Sequence, residues 1–217
     1  HTLSLHDALP ISRRGGERIE RYHIYLLETL APMVSTALRN AELRDQMREL
    51  ALTDPTTGLP SVKQYETVTR QAGRNGKHLA VMLIDLDHFD DVNENCGIRA
   101  ANEALQQVAE HLRECCRSAD VPLRHSEDKF IVVCADADAN AVLPLADRIR
   151  KRLAETIVCS VGGMDRHLTC SIGIADSESD GEAADLLLEL ATQRMRQAKA
   201  GGRDRVVIGD GRVSEAS

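Results

Sequence analysis

Early in the chain, apolar residues recur at Leu27, Leu30, Val34, Ala37, Leu38 and Ala41, then at Leu43, Met47 and Leu50. That spacing lays one sticky stripe along a helix predicted over 17–52. No glycine interrupts the stretch from Glu17 to Leu52. Pro32 falls inside the pattern, where it removes a backbone hydrogen bond and marks either a kink or a first turn. The stripe suits two roles, an ordinary helix packed on its own domain or a parallel coiled-coil linker that pairs two chains.

A cluster of turn formers, Thr53-Asp54-Pro55-Thr56-Thr57-Gly58-Leu59-Pro60, ends the helix and sets a boundary. Beyond it the pattern changes character. The run 79–87 reads as a buried strand, and 101–115 as an amphipathic helix with Leu105, Val108, Ala109 and Leu112 on one face. Two short apolar runs, 121–125 and 130–135, are separated only by Ser126 to Lys129 and predict a hairpin. A helix over 139–155, a strand over 156–161, a Gly162-Gly163 turn, a strand over 167–175, a helix over 182–198 and a strand near 205–208 complete the order. Alternating strands and helices with inserted hairpins predict an α/β (α+β) sandwich, a central mixed sheet flanked by helices, with the N-terminal helix as an added signalling element. The expected organisation is a segment 1–16 that matches no later pattern and reads as non-native or disordered, the helix 17–52, a domain over 53–210 and a tail over 211–217.

Composition narrows the functional classes. With 42% hydrophobic residues in 217, there is material for one well-buried core plus an extra element. The formal charge of −7, from 34 acidic against 27 basic residues, argues against a nucleic-acid or anionic-membrane surface. No run approaches the roughly 18 apolar residues that span a bilayer. The six cysteines, Cys96, Cys115, Cys116, Cys134, Cys159 and Cys170, form no CxxC pair and no Cys/His metal spacing. They read as reduced core residues of a cytoplasmic protein.

Asp54-Pro55-Thr56-Thr57-Gly58-Leu59-Pro60 and Asp85-Leu86-Asp87-His88-Phe89-Asp90-Asp91-Val92-Asn93 resemble the opening DPLTGLPN and the DxDxFKxxN of the bacterial GGDEF diguanylate cyclases, the first two of four motifs that stand in that family's order. Arg124-His125-Ser126-Glu127-Asp128-Lys129-Phe130 lies where RxGGDEF belongs, and Lys199-Ala200-Gly201-Gly202-Arg203 matches the closing KxxGR. The helix before Asp54, ending in AELRDQMRELALTD, also resembles the last helix of a GAF sensor domain.

The resemblance implies a nucleotidyl-cyclase-like fold and a chemistry in which two GTP molecules are joined across a homodimer, with Mg²⁺ on the triphosphates. It assigns Asp85 and Asp128 to the metal, Asn93 and Asn102 to the guanine, and Lys199 and Arg203 to the phosphates. A plainer reading makes Asp85 a strand-end residue and Asp128 a turn residue.

Several positions depart from the family. Ser126 and Glu127 replace the paired glycines that let the backbone approach the nucleotide. Lys129 replaces an acid, and a charged Lys neither binds Mg²⁺ nor accepts a proton. Asp90 stands for a phosphate-contacting Lys, and Asn102 for an Asp whose two acceptors suit guanine.

Arg117-Ser118-Ala119-Asp120 lies at the offset of the family's RxxD site for cyclic di-GMP, with Arg124 at an additional Arg position. Arg offers a planar fork to phosphate and a face to guanine, while Asp accepts from guanine N–H groups. The expectation is therefore an inactive GGDEF-like domain that binds cyclic di-GMP through Arg117, Asp120 and Arg124. The alternatives are a weakly active cyclase and a GTP-sensing or dimerisation module.

Overall fold

The structure is a computed structural model that describes residues 21–50, 52–74, 78–161 and 164–214. The expectations for 1–16, for the Gly162-Gly163 turn and for the end of the tail lie outside those residues. The chain divides between Glu49 and Leu50 into two compact units.

The first unit contributes one long helix, α1 (Arg21–Leu50), which continues through Pro32. The Thr36 hydroxyl donates to the Pro32 carbonyl at 2.8 Å, one turn back along the helix. Leu30, Met33, Val34, Leu38 and Leu43 are exposed along it.

The second unit is built on a mixed six-stranded sheet in the order β2-β3-β1-β6-β7-β8. Its strands are β1 (Leu79–Leu86), β2 (Val121–Ser126), β3 (Lys129–Ala135), β6 (Cys170–Asp176), β7 (Arg205–Val207) and β8 (Val213–Ser214). A separate small hairpin joins β4 (Ile157–Val161) to β5 (Met164–His167). β1 lies at the centre, antiparallel to both β3 and β6, while β6 and β7 run parallel.

Every residue of β1 is buried, because the sheet is covered on both faces, and the pleat sorts its side chains by parity. Ala80, Met82, Ile84 and Leu86 join α3 (Phe89–Cys115) and α4 (Ala139–Glu155) in one core layer. Leu79, Val81 and Leu83 join α2 (Tyr65–Ala72) and α6 (Ala184–Ala200) in the other. Asp85 shares the parity of the second set and thus belongs on the α6 side. At Gly173 of β6 a Cβ would lie 2.1 Å from the Ala191 carbonyl oxygen, so only glycine lets α6 come this close to the sheet.

The α/β expectation holds, with differences in detail. The helix expected over 101–115 begins at Phe89 and breaks at Gly97, whose φ of 81° favours glycine. The strand expected over 167–175 resolves into β5 and β6, because 168–169 are a connection rather than ladder. Part of the expected tail forms β8, antiparallel to β7. A short helix, α5 (Ser177–Asp180), follows Asp176, whose carboxylate caps it by accepting from Glu178 and Ser179 N–H.

The reading of all six cysteines as reduced is corrected: Cys96 and Cys159 form a disulfide, with Cα atoms 6.4 Å apart. One lies at the Gly97 break and the other on β4, 63 residues away, so no local spacing announces the pair. Cys115, Cys134 and Cys170 are buried as free thiols, as their apolar settings imply, and Cys116 is half-buried. Among the described residues no helix is long and apolar enough to cross a membrane.

Candidate functional site

The β2–β3 hairpin turns through Glu127 and Asp128 and brings the altered signature to the end of β1. In the antiparallel register Lys129 stands directly opposite Asp85, and the Leu86 N–H donates to the Asp128 carbonyl at 3.0 Å. These backbone ties fix a charged cluster. Lys129 Nζ donates to Asp128 Oδ1 at 2.6 Å and lies 3.2 Å from Asp85 Oδ2. From the C-terminal end of α6, Lys199 Nζ reaches to 2.5 Å from Asp85 Oδ1, a charge contact rather than an aligned hydrogen bond.

Asp85 is only 1% exposed, whereas the two lysine side chains are 30% and 32% exposed. A buried carboxylate needs compensation, and two ammoniums supply it. Burial alone would depress the Lys129 pKa, but Asp128 and Asp85 outweigh it and hold the ammonium above its ordinary value.

Two carboxylates at a strand end and a turn could in principle hold Mg²⁺, which requires oxygen ligands at about 2.0–2.1 Å. The residues present do not fit it. Lys129 Nζ already lies between the two carboxylates. Among the described residues no three His, Cys, Asp or Glu side chains converge as a metal site.

The second aspartate of Asp85-Leu86-Asp87, which the motif reading left without a role, anchors the neighbouring loop. Asp87 is buried and accepts from the Ser171 hydroxyl at 2.7 Å, the Thr169 hydroxyl at 3.0 Å and the Asp204 N–H at 3.2 Å. Asp204 in turn accepts from Arg150 Nη1 at 2.9 Å, and Arg150 is itself fully buried. This chain holds the 201–204 loop in an uncommon path, with Gly202, Arg203 and Asp204 all at positive φ. Arg203, within that loop, is exposed. The sequence signal was present, since Asp85 and Asp87 sit two apart on one face, but the partners of Asp87 lie far along the chain.

Asn93 and Asn102 lie on the two halves of α3, either side of the Gly97 break. Both are exposed.

Before β2, the Arg117–Asp120 segment forms a tight turn. The Asp120 N–H donates to the Arg117 carbonyl and the Arg117 N–H donates to Asp120 Oδ2, each at 3.0 Å. The Arg117 guanidinium makes no hydrogen bond or ion pair among the described residues.

Arg124, which the resemblance groups with that turn, makes its contacts within the hairpin. It is 8% exposed, stacks on Phe130 at 4.4 Å and donates to the Glu127 carbonyl inside the hairpin. Burial lowers its pKa, while Asp54, Asp128 and Glu127 oppose the shift. Its backbone N–H also donates to the Pro60 carbonyl at 2.8 Å, and Arg113 donates to the Thr57 carbonyl at 2.9 Å. The Asp54–Pro60 segment is thus pinned to the hairpin and to α3. Asp54 closes its own turn by accepting from the Thr57 N–H and hydroxyl.

Comparison with known proteins agrees with this frame. Residues 51–205 match the model for "Diguanylate cyclase, GGDEF domain". The chain belongs to the GGDEF family. It is 28% identical over 214 residues to Diguanylate cyclase A of Treponema denticola, covering 93% of this chain and 56% of that protein. It is 29% identical over 192 residues to Response regulator PleD of Caulobacter vibrioides, covering 83% and 42%. The chain therefore spans about half the length of these curated relatives. Among solved structures, the isolated GGDEF domain of TpbB from Pseudomonas aeruginosa superposes with a TM-score of 0.66 at 27% identity, covering 73% of this chain and 94% of that one.

Proposed function

We propose that this is a cyclic di-GMP receptor module with no cyclase turnover, which takes its ligand at the turn Arg117–Asp120. The observation that carries this reading is that turn: its backbone is closed by two hydrogen bonds while the guanidinium remains uncommitted. A preformed turn lowers the ordering needed on binding, and a free guanidinium supplies bidentate contacts to a phosphodiester. Asp120 keeps Oδ1 for guanine N–H groups. Arg124 contributes by holding the adjoining hairpin rather than by touching ligand.

Loss of turnover is supported by Lys129 between Asp85 and Asp128, where the reaction needs a divalent ion and an acidic group. Two measurements test the reading together. Titration calorimetry with cyclic di-GMP should give micromolar or tighter binding, and GTP with Mg²⁺ should yield no cyclic dinucleotide by chromatography. Absence of binding, or product formation that depends on Asp85, would contradict it.

Residues 17–52 are proposed to be the signalling helix, the end of a GAF-like domain or a coiled-coil linker, and 53–210 the receptor domain. The exposed apolar stripe of α1 supports pairing of two copies through that helix. Light scattering at tens of micromolar should report a dimer; a monomer at that concentration rules the pairing out.

A further inference from the structure

The Cys96–Cys159 disulfide joins two segments that bury little of their own. Cys96 ends the first half of α3, immediately before the break at Gly97, and Cys159 lies on β4, 63 residues further along the chain. We propose that this pair is a redox-sensitive clasp: closed as a disulfide it holds the Phe89–Cys96 half of α3 to the β4–β5 hairpin, and a dithiol reductant opens it and releases both.

These segments are held differently from the rest of the domain. Among the described residues the β4–β5 hairpin forms a sheet of its own, with no ladder to the six-stranded sheet. Of its described side chains, Ile157, Ser160, Asp165, Arg166 and His167 are exposed and Cys159 is half-buried. Its entry is tied to α3 by the His111 ring and the Thr156 hydroxyl, 3.0 Å apart, and beyond that point the disulfide is the covalent tie. The first half of α3 buries Phe89 and Val92, whereas the second half buries seven residues between Ala101 and Cys115. Gly97, at φ 81°, interrupts the helix between them, so the order of the second half does not propagate into the first.

The chemistry is confined to this pair. Cys96 and Cys159 are both half-buried, which leaves the sulfurs within reach of a small thiol. One thiolate of the reductant attacks one sulfur to give a mixed disulfide, and its second thiol resolves it. The reductant leaves as a disulfide, and two electrons and two protons end on Cys96 and Cys159 as thiols. Cys115, Cys134 and Cys170 are buried, and burial pushes the Cys134 and Cys170 thiols well up, away from the thiolate that exchange requires. Burial, with Asp120, pushes Cys116 up to about 12.

A crosslink across so long a loop restricts the opened forms of the segments it joins. Without it they open locally while the packed core persists. The released half-helix carries Asn93. The inference does not depend on ligand binding at Arg117–Asp120.

The test compares the full chain after oxidised glutathione and after dithiothreitol. Peptide mapping with alkylation should show a linked Cys96–Cys159 peptide and four alkylated cysteines in the first state, and no linked peptide in the second. Amide exchange followed by mass spectrometry should be faster in the reduced chain by about tenfold or more in the Phe89–Cys96 half-helix and in β4, within what closure of such a loop contributes. The second half of α3 and β6 should be unchanged, and reoxidation should restore protection. Cys96→Ser should exchange like the reduced chain and no longer respond to dithiothreitol. The proposal is overturned if no linked peptide forms in oxidised glutathione, if the two states exchange alike, or if reduction loosens the whole domain uniformly. A response to dithiothreitol that persists in Cys96→Ser overturns it equally. Should that variant not fold by circular dichroism, the two states of the unmodified chain decide alone.

Discussion

The two ends of β2 carry cations to opposite effect. At its C-terminal end, in the hairpin turn, each positive group is already engaged: Lys129 with two carboxylates, Lys199 with Asp85, and Arg124 with Phe130 and the Glu127 carbonyl. At its N-terminal end the Arg117 turn satisfies itself through backbone atoms and one aspartate oxygen, and leaves its guanidinium open. Counting charges would rank the hairpin as the better anion site. Counting cations not already matched by a carboxylate favours the turn, because an ammonium paired with a buried carboxylate gives up part of that pairing when it serves a ligand.

The sharpest way to break this comparison is to remove the support from one end only. Asp87→Ala deletes a buried carboxylate that accepts three hydrogen bonds, and should cost about 3 kcal/mol of folding stability while leaving two hydroxyls and a backbone N–H less well satisfied. Urea unfolding measures it. Under conditions where the variant is folded, its cyclic di-GMP affinity should match the unmodified chain. A stability loss below about 1 kcal/mol would show that the 201–204 loop is held by other contacts.

Next in size, Arg117→Ala should weaken cyclic di-GMP by about 2 kcal/mol, the scale of a charge-assisted bidentate contact. Calorimetry on the folded variant checks this. Asp120→Ala should act in the same direction, since it removes both the turn's side-chain acceptor and a partner for guanine donors. Unchanged affinity in both variants would place the ligand elsewhere and dissolve the contrast between the two ends.

How much of this was legible in the sequence follows from the range of the interactions involved. The apolar run of β1, the hairpin around Glu127-Asp128 and the helix 139–155 rest on local periodicity and turn chemistry, and each is found where that pattern sets it. Motif order pointed to Asp85, Asp128 and Lys199, which do converge. That Lys129 stands between the carboxylates depends on strand register, which fixes which residues face each other across a ladder and is not written in spacing along the chain. The role of Asp87, the Cys96–Cys159 pair and β8 likewise depend on partners brought together only by the fold. That Arg124 stacks on Phe130 and donates to the Glu127 carbonyl likewise follows from the way β2 presents its side chains, which motif position alone does not specify.

The smallest expected effect discriminates most finely between the two ends. Asp128→Ala removes a turn carboxylate that accepts from Lys129, and the Arg124–Glu127 contact runs to a backbone carbonyl that the substitution leaves in place. Lys129 retains Asp85 as a counter-charge, so the hairpin loses one partly exposed pair, worth about 1 kcal/mol or less. Nothing in that change reaches the two hydrogen bonds that close the Arg117 turn. Cyclic di-GMP affinity should therefore stay within calorimetric error of the unmodified chain. If Asp128→Ala abolishes binding while Arg117→Ala does not, the ligand sits in the hairpin pocket, and the cations there are less firmly committed than their contacts indicate.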